Sequence, residues 1–343
     1  MKKAEKLFLN GNGCYLGMEK GCFIVRDKSR QIVRKYPLFE ENLGEIIVET
    51  GNTISVGALS SIAFWEIDLL VLTRKGEPIG YLRSINYDTH AETRIAQYRA
   101  YTNSKAIEII KQIVYAKLKG QNIILNKYGL RQHDLPNLKR KIDNLNSENL
   151  AEARGKLRGI EAGKSKYYFQ RTLKLLPDWL RPQQRKTFQA YDGGNNLFNL
   201  AYTILKWKIH RAILKAKLEA YLGFMHCLQH GKPSLICDFQ DLYRYLLDHF
   251  LIEYSKNLKQ TDFEAKIQQK RGKKGKRIYL KNEKSRKLIE KLYEYFEKNA
   301  EIPRIRIGKK QKIETLINEE LLLFAKYLRN ERRKWIPRII EKL

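Results

Sequence analysis

Cysteine is scarce in this 343-residue sequence, and its four cysteines are poorly spaced for cysteine-based sites. No CxxC pair is present, and the interval between Cys227 and Cys237 contains a lone His230, which is poor spacing for zinc. A zinc ribbon is therefore not expected. Free structural thiols, including those of Cys14 and Cys22, suit a reducing cytoplasm.

Long apolar runs are also missing. No stretch approaches the roughly 20 apolar residues of a membrane span, and the N-terminal MKKAEKLFLNGNG lacks the apolar core of a secretory signal. We therefore expect a cytoplasmic protein with no membrane partner. Hydrophobic residues nonetheless make up 43% of the chain, which suffices for buried cores and argues against general disorder.

Acidic residues are few relative to basic ones, and the net charge is +30. Residues 1–88 contain 12 Lys or Arg and 11 Asp or Glu, which leaves a net charge of +29 for residues 89–343. Such asymmetry is expected when one domain meets nucleic acid. The alternative is a heat-adapted protein with lysine-rich solvated helices.

Hydrophobic patterning divides the chain in two. Over the first 85 residues, short apolar or β-branched runs alternate with Gly, Asn and Asp clusters, which predicts strands of a small sheet or sandwich. A short helix is predicted near ALSSIAFW. From Glu92 onward, apolar residues recur at three- and four-residue spacing, which predicts helices. The clearest stripe is Ala106, Ile109, Ile110, Ile113 and Val114.

These patterns predict an α+β fold. It comprises a small β-sandwich-like domain (1–85), a linker (86–92) and a mostly helical domain (93–343). Two later stretches leave alternatives open. The run KRGKKGKR (Lys270–Arg277) is either a mobile loop or an ordered basic site. The tail EELLLFAKYLRNERRKWIPRII (319–340) has the pattern of a basic amphipathic helix, for which core packing is favoured over membrane or partner binding.

The tripeptide GKS at 163–165 imitates the end of a phosphate-binding P-loop. A true P-loop requires glycine where Arg158 stands, and it follows a buried strand, whereas NLAEARGKLRGI is helical in pattern. Nucleotide triphosphate binding is therefore not expected. On a helix, Glu161 shares a face with Leu157 and Tyr168, so its carboxylate needs either a salt bridge or a metal ion.

A second group of polar residues follows the apolar segment AILKAKLEAYLGFM: His226, Asp238 and Asp241. Their spacing permits a helix end, a Gly-Pro turn and a new helix with both aspartates near one face. Two close carboxylates favour a cation between them, and Mg²⁺ or Mn²⁺ would suit them together with His226 and Glu161. The alternatives are a hydrogen-bonded core histidine and, for Asp238, the N-cap of the next helix.

Together these stretches resemble the CRISPR-associated integrase family (Cas-one), the large catalytic subunit of the spacer-acquisition complex. Its L-x-G-x-E motif with a following tyrosine corresponds to Leu157, Gly159, Glu161 and Tyr168. Its G-F-L-H, G-[RK]-P-S-L and D-x-x-[ED] motifs correspond to GFMH (223–226), GKPSL (231–235) and Asp238 to Asp241. DGGNN (192–196) matches the family's D-P-x-N-A segment in part, and the match R-x-x-Q at Arg94–Gln97 is weak.

The resemblance implies roles for these residues. Glu161, His226 and Asp241 would bind Mg²⁺ or Mn²⁺, and Asp238 would support them. The DNA would be contacted by Lys232, with Lys164 and Arg158 as further DNA-binding candidates. Family members join the 3′-OH of a short DNA (the prespacer) to a phosphodiester at a CRISPR repeat, and they cut branched DNA.

The resemblance also implies partners. Family members form homodimers through the β domain, and two dimers flank a small ferredoxin-like subunit. The +1 net charge of residues 1–88 suits such protein contacts, and the +29 of the remainder suits double-stranded and branched DNA. The alternative functions are a related transposon integrase and a catalytically inactive nucleic-acid-binding scaffold.

Overall fold

The computed structural model describes residues 5–38, 43–74, 76–82, 91–270, 273–301 and 310–343. The chain forms two compact units. The first comprises Met1–Thr89 and Asn282–Ile289, and the second comprises His90–Lys281 and Glu290–Leu343. Most of the predicted linker (86–92) lies outside the described residues.

The first unit is built from short strands and one helix. In chain order they are β1 (Glu5–Leu9), β2 (Tyr15–Glu19), β3 (Cys22–Arg26), β4 (Ile32–Pro37), β5 (Leu43–Glu49), β6 (Thr53–Ile54), α1 (Val56–Phe64), β7 (Asp68–Leu72) and β8 (Pro78–Leu82). One sheet has the order β1-β5-β7-β8, with β8 antiparallel to β7 and the other neighbours parallel. The other has the order β4-β3-β2-β6, with only β6 pairing in parallel.

The two sheets and α1 enclose one hydrophobic core. Its buried members include Leu7, Leu16, Phe23, Ile46, Ile62 and Leu69. This arrangement confirms the predicted α+β class with an N-terminal sandwich-like part. The six short runs that predict strands are KLFLN, GCFIV, QIVRKY, EIIVET, DLLVLT and PIGYLR. They fall on β1, β3, β4, β5, β7 and β8, and the predicted short helix is α1. Strands β2 and β6 were not predicted, because β2 is interrupted by Gly17 and β6 has only two residues.

One segment from late in the chain belongs to the first unit. It is the beginning of α8 (Asn282–Phe296). Arg286 of this segment forms a bidentate salt bridge with Glu49: Nε lies 2.9 Å from Oε1, and Nη2 lies 2.8 Å from Oε2. Glu49 is buried, so this paired charge is well suited to hold the segment. Patterning alone assigned the segment to the helical domain, since α8 is one continuous helix.

The second unit is mostly helical. Its helices are α2 (Glu92–Tyr101), α3 (Lys105–Lys127), α4 (Leu135–Asp143), α5 (Leu150–Thr172), α6 (Gly193–Lys215), α7 (Ser234–Ser255), the end of α8 and α9 (Ile313–Leu328). Its strands form two hairpins, β9 (Phe263–Lys270) with β10 (Lys273–Leu280) and β11 (Asn299–Glu301) with β12 (Lys310–Lys312). The basic run Lys270–Arg277 thus contributes mainly to β10, and residues 271–272 lie outside the description.

Helix α7 is buried on nearly all sides, and α3, α5 and α6 pack close to it or to one another. All five residues of the predicted α3 stripe are buried, which confirms that prediction. Helices α3 and α7 approach closely because Gly120 has no side chain: a Cβ there would lie 2.5 Å from the Tyr245 ring. This approach brings the polar residues of α3 and α7 within reach of each other.

Two helical predictions ended at the wrong residue. The segment AILKAKLEAYLGFM (212–225), whose pattern predicts a helix, is helical only to Lys215. The tail predicted as helix through 340 is helical only to Leu328. The favoured core packing of the tail is borne out by the buried Trp335 and Ile340. None of the helices in the described part of the chain has the length and hydropathy of a membrane span.

Candidate active site

Lys117 joins two of the predicted metal ligands. Its Nζ donates to Glu161 Oε1 at 2.6 Å and to Asp241 Oδ2 at 2.9 Å. The three side chains come from α3, α5 and α7, and their exposures are only 13%, 19% and 3%. Glu161 therefore forms the salt bridge that was one of its two interpretations, and it does so beside a second carboxylate.

Asp241 lies among positive charges. Its Oδ1 is 3.0 Å from Arg244 Nη1, one helical step along α7, yet this buried oxygen accepts no well-aligned hydrogen bond from the described residues. Burial opposes the ionised form, but Lys117 and Arg244 outweigh it and lower the pKa of Asp241 to about 2. Burial likewise opposes the charge on Lys117, but Asp241 and Glu161 raise the pKa of its ammonium. Asp241 and Lys117 therefore stabilise each other's charged forms.

Asp238 holds His226 in place. It is fully buried, and its Oδ1 lies 2.7 Å from His226 Nδ1 and accepts the His226 backbone N–H at 2.9 Å. Its Oδ2 accepts the backbone N–H groups of Phe224 and Met225 at 2.5 and 3.1 Å. Asp238 lies within α7, which begins after Pro233, so it is not the N-cap. Because Nδ1 is engaged, the His226 atom left for a ligand is Nε2.

The loop before α7 is fixed by several long-range contacts. Buried Gln97 donates to the carbonyls of Glu219 and Leu222, and Arg154 Nε donates to the Phe224 carbonyl at 2.6 Å. Gly223 permits the tight path of the loop, because a Cβ there would lie 2.5 Å from the Ser234 backbone. These contacts explain why G-F-M-H needs its glycine.

The three DNA-binding candidates differ in their surroundings. Arg158 is exposed on α5 and its Nη2 lies 3.0 Å from Cys227 Sγ, so it touches the His226 loop. Lys232 is half-buried in the turn before α7. Lys164 is also half-buried. Burial lowers the pKa of His133, and the positive charge of Lys164 lowers it further. Of the three, Arg158 and Lys232 lie next to the His226 loop.

Glu161, Asp241 and His226 have the chemistry to bind a divalent cation, but their side chains lie too far apart to hold one in the conformation described. Among the described residues no three His, Cys, Asp or Glu side chains converge closely enough to hold a metal ion. Glu161 and Asp241 do converge on a single cation, the Lys117 ammonium, and Asp241 keeps a buried oxygen without a hydrogen bond. Two carboxylates and an imidazole are a suitable set for Mg²⁺ or Mn²⁺.

Further along α7, a third buried carboxylate, that of Asp248, extends the network. Asp248 accepts hydrogen bonds from Tyr168 (2.6 Å) and from Tyr202. Arg244 and Arg185 both lie over the Tyr202 ring, at 5.2 and 5.0 Å from its centroid. Burial raises the pKa of Asp248, although these hydroxyls and guanidinium groups act in the opposite direction. The network braces Arg244, and through it Asp241.

Sequence reasoning missed Lys117, Arg244 and Asp248. Lys117 had a signal: it lies three residues after Val114 and four after Ile113, so it continues the apolar stripe of α3. A lysine on a buried stripe needs an acidic partner. Its partners lie 44 and 124 residues away, which periodicity could not show.

The amino-acid sequence matches a family model and is similar to known proteins. A family model described as CRISPR associated protein Cas1 matches residues 7–294. The CRISPR-associated endonuclease Cas1 1 of Archaeoglobus fulgidus is 28% identical over 260 residues, which cover 70% of this chain and 74% of that protein.

Solved structures share the fold. A casposase bound to integration product matches with a TM-score of 0.77 and 19% identity, over 96% of this chain and 92% of that one. A chain of a Cas6-RT-Cas1–Cas2 complex matches with a TM-score of 0.74 and 21% identity, over 100% of this chain and 37% of that one.

Proposed function

Because the chain belongs to the CRISPR-associated protein Cas1 family, we propose that it is a metal-dependent DNA endonuclease and integrase of CRISPR adaptation. It joins the 3′-OH of a short DNA to a phosphodiester at a CRISPR repeat. In this transesterification a new O–P bond forms as the existing strand bond breaks, and the reverse direction cuts branched DNA. The nucleophile is the DNA hydroxyl, so the protein supplies no covalent intermediate.

The convergence of Glu161 and Asp241 beside His226 carries this proposal. The two carboxylates meet at one positive charge, and Asp238 fixes the imidazole that completes the set. When bound, Mg²⁺ or Mn²⁺ would supply Lewis-acid stabilisation of charge on the phosphodiester oxygens. Glu161, His226 and Asp241 would hold it, and Asp238 would position His226 without contacting the ion, since its oxygens already accept protein N–H groups.

The exposed side of α5 supports a close DNA contact. Gly155, Gly159 and Gly163 recur every four residues, so they share one face, and a Cβ at any of them would meet no atom of the described residues within 4 Å. Exposed Arg158 and Lys166 lie on the same side of the helix. Such a face lets a phosphate backbone approach the helix and meet positive charge.

The β9–β10 hairpin offers a second DNA contact. Its sequence from 263 to 280 holds seven Lys or Arg and one Glu. The Arg277 guanidinium lies 4.9 Å from the centroid of the Tyr191 ring, which is 39% exposed. Arg277 itself is buried, so the exposed Tyr191 ring is the part of this contact that would stack on an unpaired base.

Partner proteins are proposed on the same basis. The first unit exposes apolar side chains, with Val56 at 78% and Phe64 at 76% exposure, which suits a homodimer contact. The matched complex contains Cas2, and a corresponding small, ferredoxin-like subunit is the proposed second partner. Double-stranded and branched DNA is the substrate. The cytoplasmic location stays a prediction from the sequence.

A transposon-type integrase is the second candidate, because a casposase bound to integration product shares this fold. The two candidates use the same chemistry on different DNA targets. A repeat array next to the gene would favour the CRISPR role, and transposon ends around it would favour the other. A catalytically inactive scaffold is the third alternative, and the next experiment excludes or supports it.

The test is strand transfer with Mn²⁺, with and without EDTA, by Glu161→Ala, His226→Ala and the native chain. We expect both variants to lose activity while DNA affinity stays within about threefold, because positioning and charge stabilisation, not affinity, depend on the site. Glu152→Ala is the matched control: it lies on the same helix, where Glu152 pairs with Lys156 on the surface. Activity that persists in both variants would remove the proposed metal site.

A further inference from the structure

The Lys117 ammonium stands at the point where two proposed metal ligands meet. It is the only group described here that contacts both Glu161 and Asp241, at 2.6 and 2.9 Å. Arg244 reaches the other oxygen of Asp241, at 3.0 Å, and does not bridge the pair. The two carboxylates are therefore held together by one side chain of the protein itself.

The lysine is built into the core and does not merely reach in from the surface. Its side chain is 13% exposed, and it continues the buried stripe of α3 after Ile113 and Val114. The close approach of α3 to α7 at Gly120 sets the distance between Lys117 and Asp241. A buried cation at such a position is stabilised only by the carboxylates it contacts.

A divalent ion that is bound by both Glu161 and Asp241 has to lie between their carboxylates, where the Lys117 ammonium now lies. An ammonium hydrogen-bonds a carboxylate at about 2.8 Å, whereas Mg²⁺ binds oxygen at about 2.1 Å and demands near-octahedral geometry. Both cations on the same two oxygen atoms would be close enough to repel strongly in a poorly hydrated site. One of them has to leave before the other binds.

We infer that Lys117 is a built-in counter-ion of the site: it holds Glu161 and Asp241 together without metal, and a divalent ion binds by displacing its ammonium. This inference rests on the proposed metal-dependent function. The inference therefore predicts that Lys117 has opposite effects on stability and on metal affinity. Lys117 stabilises the metal-free protein and lowers its affinity for metal.

The chain offers matched variants. Lys117→Met keeps an unbranched apolar stem and removes the charge, and Lys117→Arg restores a positive charge at the same place. Lys119→Met is the control on the same helix, because Lys119 pairs with Glu341 at 2.5 Å near the surface and contacts neither site carboxylate. Far-UV circular dichroism checks that each variant folds.

The experiment is a Mn²⁺ titration of the full chain without DNA, followed by the loss of the electron paramagnetic resonance signal of free Mn²⁺. We expect Lys117→Met to bind Mn²⁺ at least about tenfold more tightly, within the usual range of coupling between two ligands. Lys117→Arg and Lys119→Met should stay within about threefold of the native chain. In EDTA, Lys117→Met should melt at a lower temperature than the native chain and gain more from added Mn²⁺.

Failure of this inference differs from failure of the proposed function. If the native chain binds Mn²⁺ in a Glu161-dependent manner and Lys117→Met binds it no more tightly, the displacement is wrong and the metal site stands. If Lys117→Met binds more weakly, the lysine assists the ion, which also overturns the inference. If neither protein binds Mn²⁺, the metal site itself is wrong.

Discussion

At the scale of single residues, Asp238 has to be a carboxylate, because an amide cannot accept all of its hydrogen bonds. Its oxygens face four N–H donors: three from the backbone of 224–226 and one from the His226 ring. In Asp238→Asn, an NH₂ group would face two of those donors. An unsatisfied buried group costs about 1–3 kcal/mol, so we expect a loss of that size in the free energy of unfolding, measured with urea.

The same variant separates two roles. Asp238→Asn should slow Mn²⁺-dependent strand transfer less than Asp241→Asn, because Asp238 orients the histidine whereas Asp241 is a proposed ligand. Both are compared at a temperature below either melting transition. The reverse order of rates would exchange the roles of the two aspartates.

From the surroundings of His249 we predict that the free energy of unfolding depends on pH, for a reason unrelated to the metal site. Burial, followed by the charge of Lys127, lowers the pKa of this imidazole to about 4. Tyr128 donates its hydroxyl proton to Glu253 and lies 2.9 Å from His249 Nδ1, so the neutral ring donates to the tyrosine.

Because the unfolded chain takes up this proton near pH 6.5 and the folded chain only near pH 4, stability falls as the pH drops through that window. We expect His249 to contribute about 2 kcal/mol of that loss, after allowance for its partial exposure. His249→Asn keeps a donor near Tyr128, and its urea-derived stability should fall less between pH 7 and pH 4. Equal slopes for both proteins would contradict the assignment.

The residues of the site were predictable to different degrees. Glu161, His226, Asp238 and Asp241 stand in motifs whose spacing along the chain permits a cation site, and the family resemblance assigned them to one. Lys117 does not stand in such a motif, because a salt bridge between helices leaves no periodic trace in either helix. Arg244 stands only three residues after Asp241 on α7, but such an acid–base pair is also common on solvated helix surfaces, so it did not mark a buried site. Only the lysine on an apolar stripe hinted at a buried partner, and the sequence could not name that partner.

At the scale of elements, the exposed glycines of α5 lower the stability of that helix, so they need an explanation other than stability. Glycine in an exposed helix interior costs about 0.5–1 kcal/mol relative to alanine, and nothing in the described structure occupies the space beside Gly159. We expect Gly159→Leu to raise the melting temperature and to weaken DNA binding about fivefold, which corresponds to about 1 kcal/mol. Fluorescence anisotropy with branched DNA measures the second effect.

A leucine at an exposed helical position elsewhere is the control for added apolar surface. Asn126→Leu on α3 serves, because Asn126 is exposed near the end of that helix. Its DNA affinity should stay at the native value. Unchanged affinity in Gly159→Leu would mean that DNA does not approach this face of α5.

The ends of elements were harder to predict than their existence. Helix α6 stops because Lys217 adopts a left-handed φ of 60°, and Leu218 then donates back to the Ile213 carbonyl at 3.1 Å. Glycine usually marks such an end, so lysine gave no warning. At the end of α9 the signal existed: Asn330, with a φ of 66°, is a residue that tolerates this conformation, but the apolar pattern continues past it.

At the scale of the whole molecule, charge was predictable from the sequence and the assignment of 282–289 was not. The division into a β unit and a helical unit follows from the change of hydrophobic period near Glu92. The ion pair of Arg286 with Glu49 joins residues 237 positions apart, and no local pattern announces it. Long-range charge pairs are therefore where sequence reasoning ends, both in the β unit and in the site.

The charge distribution makes a final prediction about salt. Each phosphate contact that a cation loses should reduce the slope of log affinity against log salt by about 0.9. Arg158→Gln with Lys166→Gln removes two exposed charges from α5, so we expect the slope for duplex DNA to fall by about 2. Lys28→Gln with Lys35→Gln removes two exposed charges from the β unit and should leave the slope unchanged. If both pairs lowered it equally, DNA binding would depend on total charge, and the concentration of +29 in residues 89–343 would not mark a DNA-facing unit.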